Sequence, residues 1–181
     1  MTLPFFTIGH SDRSLDEFLG LLREARVGLV ADVRRMPRSR ANPQFNADTL
    51  PAALAAFDIG YEHMTALGGL RGRSRAVPPA VNGFWTNQSF HAYADYALTP
   101  PFRAGLVHLR DAGHARRCAI MCAEALWWRC HRRIVADHLV VAGEAVFHIL
   151  RPGDPESARL TPEAVVRSDG TIVYPAASTS S

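Results

Sequence analysis

Cys122-Ala123-Glu124 places a carboxylate two residues after a thiol, and Cys130-His131-Arg132 sets an imidazole and a guanidinium directly after another. Positive charge lowers the pKa of a cysteine, so a thiol among cations is primed as a nucleophile. Cys122 closes an apolar run that reads as a strand, and the residues after it read as a helix start, whose dipole would favour the thiolate further. Glu124, amid arginines, would be held ionised as a base or orienting group. A long helix is expected over Trp127 to Val141, with His131 on its sheet-facing stripe. Cys118 lies at the other end of the same strand, ~13 Å from Cys122, and belongs to the core. A Cys122–Cys130–His131 metal site lacks the paired close spacing of structural zinc, and no metal is assigned.

The basic residues carry a second signal. All 20 are arginine, with no lysine, against 17 acidic residues, giving a net charge of +3. Codon preference accounts for much of that total, so position has to decide. Four arginines lie at 34, 35, 38 and 40, three at 71, 73 and 75, and three at 129, 132 and 133, all after apolar runs. Guanidinium groups grip phosphate with two parallel hydrogen bonds, and glycine-supported loops add backbone amides. His10, Ser11, Arg34, Arg38, Ser39, Arg71, Arg73 and Arg132 are therefore the expected binding residues for a phosphate-like anion, with Asp32 among the substrate-binding residues as an orienting or basic carboxylate, or else an N-cap or a partner of a neighbouring arginine.

These segments need a scaffold that presents them together. Apolar runs at Phe5 to Ile8, Gly28 to Val33, Tyr61 to Leu67, Cys118 to Cys122 and Ala145 to Leu150 alternate with helical patterns. Ser14 with Glu17 three residues on is a helix start, and further helices are expected at 48–57, 89–98 and 102–111, the last after an interruption at Pro100-Pro101. Alternation of this kind predicts a single-domain, Rossmann-like α/β three-layer sandwich over residues 1–174, with a mostly parallel sheet of about five strands. A short helix at Thr161-Pro162, a last strand at Thr171 to Tyr174 and a disordered tail over 175–181 complete the expectation. In such sheets ligands bind at the carboxyl ends of the strands, which is where the arginines, Cys122 and Glu124 fall.

Composition excludes other classes. No apolar run approaches the ~20 residues that span a membrane. Three cysteines in 181 residues make no disulfide scaffold, and the first seven residues lack a secretion signal's pattern, so a soluble cytoplasmic domain is expected. The sequence specifies no cofactor and no oligomeric state.

Five ordered motifs also resemble a known family. They are Thr7-Ile8-Gly9-His10-Ser11, Asp32-Val33-Arg34 with Pro37-Arg38-Ser39, Leu67-Gly68-Gly69-Leu70-Arg71, Met121-Cys122-Ala123-Glu124, and Cys130-His131-Arg132. From about Thr7 to Ile149 the chain is similar to the Domain of Unknown Function 488 family. The resemblance implies no settled activity; it implies that the cysteines, glutamate, histidine and arginines matter. The layout also resembles rhodanese-like sulfurtransferases and cysteine phosphatases, but no glycine loop follows Cys122 to wrap an oxyanion, so their mechanism is not carried over.

The expectation is an enzyme acting on a phosphate-bearing substrate, a nucleotide or nucleic acid, at Cys122, Glu124, Cys130 and His131. Two alternatives are a non-catalytic nucleic-acid-binding module held by arginines, and a thiol redox or sulfur-transfer protein using Cys122 and Cys130.

Overall fold

Five strands rich in apolar residues meet side by side in the computed structural model, which describes residues 2–177. They are β1 (Phe5–Gly9), β2 (Leu29–Asp32), β3 (Gly60–His63), β4 (Cys118–Cys122) and β5 (Val146–Ile149), all parallel, with a short antiparallel β6 (Glu156–Ser157) at one edge. The order across the sheet is β3-β2-β4-β1-β5-β6. Every residue of β1 and β4 is buried, as expected for strands covered on both faces. The fold is an α/β sandwich of Rossmann-like type. A separate hairpin pairs β7 (Val165–Val166) with β8 (Ile172–Val173).

Alternating residues divide the core into two layers. Phe6, Ile8, Val30 and Met121 pack with α1 (Leu15–Glu24) and α2 (Leu50–Ala55) on one face. Phe5, Ala31, Ile120 and Cys122 pack on the other with α3 (Gln88–Tyr96), α4 (Pro100–Ala115) and α5 (Arg132–Val141). The Ser14 side chain accepts the Glu17 N–H at 3.1 Å and starts α1, as its sequence predicts. The chain leaves β1 toward one face and leaves β4 toward the other, and these strands are neighbours. That reversal opens a crevice at their carboxyl ends.

Four local expectations are corrected. The long helix over Trp127 to Val141 is broken: a single 3-10 turn covers Trp127–Arg129, Cys130 is extended, and α5 begins only at Arg132. Consequently no helix starts directly after Cys122; the helix start that approaches it is that of α5, whose Arg132 N–H donates to the Cys130 sulfur. The third strand stops at His63, and Thr65–Leu67 is a 3-10 turn. Pro100 and Pro101 do not interrupt but open α4, where a missing N–H costs nothing. No helix forms at Thr161-Pro162, because the Thr161 N–H is held by the Asp137 carboxylate, and its hydroxyl by Arg133. The expected tail falls partly on 178–181, outside the described residues.

Candidate active site

The crevice is a cavity of about 820 Å³. Its floor is the end of β4 and the start of α5, with Cys122, Cys130 and His131; the ends of β1 and β2 supply His10, Ser11 and Arg34. Backbone bonds run past the strands and fix this junction: His10 N–H donates to the Cys122 carbonyl and Ser11 N–H to that of Ala123, both at 2.9 Å. Gly9 is obligatory here, since a Cβ would overlap the Glu124 carbonyl. Ser11 and Leu70, both in the wall, hold left-handed φ values of 47° and 55°, a conformation that side chains beyond glycine resist.

Cys122 and Cys130 are brought together, with their sulfurs 2.7 Å apart. The Cys130 S–H donates to Cys122. Burial raises the Cys122 thiol, but that hydrogen bond and the Arg132 guanidinium outweigh it and bring the thiol to about 7. Cys130 moves the opposite way, pushed up by burial and by the neighbouring sulfur. Cys118 is core, as expected, and burial pushes it up to about 12.

Arg132 is the unusual member. Its guanidinium is wholly buried under the floor rather than on the rim. Nη1 donates to Thr7 Oγ1 at 3.0 Å, and Nη2 to the Glu124 and Ala125 carbonyls at 2.7 and 3.0 Å. Among the described residues it pairs with no carboxylate, and its Nε has no hydrogen-bond partner. A buried cation requires a compensating charge, and Cys122 is the acidic group within its reach. The Thr7 hydroxyl, accepting from Arg132, donates to His148 Nδ1 at 2.7 Å. His148 stacks on Trp127 at 4.3 Å, and burial followed by Arg132 lowers it to about 3. Sequence reasoning missed this Thr7–His148 support, although a threonine and a histidine in otherwise apolar strands signalled it.

His131 lies against Gly69, where a Cβ would come 2.8 Å from Nδ1. Its Nε2–H donates to the Val33 carbonyl at 2.9 Å, which leaves Nδ1 facing Cys130 Sγ at 3.5 Å. Burial lowers it to about 4 despite its carbonyl contacts. Glu124 is half-buried in the wall, and Oε1 accepts the Leu126 N–H at 3.1 Å.

The expected binding residues separate into three groups. Arg38 and Ser39 line the cavity, joined by Arg35 and Arg129. Arg34 lines it too, but Asp32 accepts from its Nε and Nη2, the Phe45 carbonyl also accepts from Nη2, and Nη1 meets His10 Nε2 at 3.2 Å. With His10 Nδ1–H donating to the Ser11 carbonyl, Nε2 is the accepting nitrogen, so the Asp32–Arg34 pair fixes His10 as a neutral imidazole. Arg71 and Arg73 do not line the cavity. Arg71 donates to the Gly68 and Thr65 carbonyls and covers the Tyr96 ring, while Arg73 is exposed on the loop. Asn87, Ser89, Phe90 and Tyr93 form a further wall, from the segment where the sequence joins aromatics to amides beside the basic loop; Asn87 caps α3 through the Ser89 and Phe90 N–H groups. Trp85 packs beneath Phe90 and Tyr174. Among the described residues, no group of three or more His, Cys, Asp or Glu is arranged to hold a metal ion.

A model of the domain of unknown function DUF488 matches residues 14–139, well over half of the chain. The chain belongs to the DUF488 family. The matched span contains Cys122, Cys130, His131 and Arg132, while His10 and Ser11 precede it and His148 follows it. No curated protein and no solved structure matches the chain. No described helix is long and apolar enough to cross a membrane.

Proposed function

We propose that this DUF488 protein is an enzyme that uses the Cys122 thiolate on a phosphate-bearing substrate. The observation that supports it is the buried Arg132 beside Cys122 at the floor of an arginine-walled cavity. Arg38 and Arg129 line the cavity as exposed cations, joined by Arg35, whose guanidinium also donates to the Leu70 carbonyl, and they suit the phosphate as a handle. The electrophilic centre of the same molecule then meets Cys122, whose charge is held by Arg132. His10 and Glu124 orient the substrate from the walls. Transition-state charge would be met by groups already in position, with little reorganisation.

The test is protection of the thiol. Iodoacetamide should alkylate Cys122, mapped by mass spectrometry, and inorganic pyrophosphate should slow that reaction. Combined Arg35→Ala, Arg38→Ala and Arg129→Ala changes should remove the protection while leaving the unprotected rate. An unreactive Cys122 at pH 8, or protection indifferent to these arginines, contradicts the reading.

A further inference from the structure

Cys122 ends β4, Cys130 follows the 3-10 turn, and the fold returns one sulfur to the other at 2.7 Å. A disulfide needs about 2.0 Å, so closure is a movement of under ~1 Å within one cavity floor. Both thiols are buried and line the cavity, which Cys118 does not. Met36 and Leu70, 69% and 66% exposed, stand in the wall beside the rim arginines and suit the organic part of a ligand.

We propose that the substrate is a phosphate-bearing organic disulfide, which Cys122 attacks and Cys130 resolves. The proposal rests on the reading above, that Cys122 is the attacking thiolate, and names its electrophile as sulfur. In the first step the Cys122 sulfur bonds to one sulfur of RS–SR, the S–S bond breaks, and RS⁻ leaves. In the second, Cys130 sulfur attacks Cys122 sulfur, giving the Cys122–Cys130 disulfide and a second RS⁻. The Cys130 proton passes to the first departing RS⁻, which becomes RSH. The balance is Cys122 thiolate, Cys130 thiol and RS–SR giving protein disulfide, RSH and RS⁻, the last taking its proton from water; the substrate is the oxidant. A low-molecular-weight thiol returns the couple to its reduced form by the reverse exchange.

The experiment uses the reduced full chain and two reagents, coenzyme A disulfide and uncharged hydroxyethyl disulfide. The phosphate-bearing reagent should react about tenfold faster at low salt, because the rim steers and holds it. The wild-type product should be the internal disulfide, with both thiols released and no adduct. Cys130→Ser should release one thiol and keep a mixed disulfide on Cys122. A wild-type product that stays a mixed disulfide overturns the resolving role, and that result stands even if the variant fails to fold. Equal rates for both reagents overturn the substrate class. Failure of iodoacetamide to label Cys122 would instead defeat the underlying thiolate reading.

Discussion

The Cys130 hydrogen bond selects Cys122 as the thiol that is lowered, and the Arg132 guanidinium adds its charge to that effect. Its fork is fixed by Thr7 and two carbonyls, which leaves its charge to Cys122. Arg132→Met should therefore return the Cys122 thiol toward its ordinary value, and slow alkylation at pH 7 by about tenfold or more. Arg132→Lys should not rescue it, because a point charge cannot make the three forked bonds. Each single change leaves an uncompensated partner, so Cys122→Ser and Arg132→Met should couple by about 1–3 kcal/mol in a double-mutant cycle of urea unfolding. Additive stabilities would show that the two residues do not share a charge. From sequence, Cys122, Cys130 and Glu124 were legible as chemistry because reactive residues clustered after an apolar strand. Arg132 was legible only as one more rim arginine, since nothing local distinguishes a guanidinium directed inward from one directed outward.

The elements hold this arrangement by close backbone approach and by register. Thr7 and His148 are partners on adjacent strands, so β1 and β5 together present the hydroxyl that anchors Arg132. Thr7→Val should leave two buried polar groups unpaired, cost about 1–3 kcal/mol in urea unfolding, and also raise the Cys122 pKa. A loss of stability with an unchanged alkylation pH profile would reduce Thr7 to a packing residue. Gly9→Ala should cost about 1–3 kcal/mol, because backbone rather than a movable side chain stands in the way of its Cβ; an unchanged unfolding midpoint would contradict that close approach. The strands were legible because they are short apolar runs between turn residues, and α1 because Ser14 and Glu17 mark its start. The break at Cys130 was not, since Trp127 and the stripe of α5 keep one apolar phase while the residue between them is extended. Thr161 escaped for a similar reason: Asp137 and Arg133, distant in sequence, hold it in a turn.

Across the whole molecule, the sheet order converts an arginine-rich composition into a located positive wall. Ten arginines follow strands in the sequence, but among the described residues only Arg34, Arg35, Arg38 and Arg129 line the cavity. Spacing placed them at the right edge; which ones turn to bond carbonyls depends on loop paths that spacing does not encode. Burial of neutral histidines links the same packing to pH. His131 and His138 are lowered to about 4 and His148 to about 3, each chiefly by burial, whereas the unfolded chain protonates them near 6.5. The unfolded chain thus binds more protons between these limits, so stability is full above about pH 6.5 and falls as pH drops through 4 toward 3. Asp137, raised by burial, offsets part of this loss. Urea midpoints should fall from pH 7 to 4; a flat profile would contradict buried neutral imidazoles. The proposed chemistry requires an ionised thiol in the arginine-lined cavity. Its most direct test is the pH dependence of Cys122 alkylation in the reduced protein, read site by site. The expected result is an inflection near pH 7 that moves up toward the ordinary cysteine range in Arg132→Met. An inflection at or above that range in the unaltered chain would contradict it.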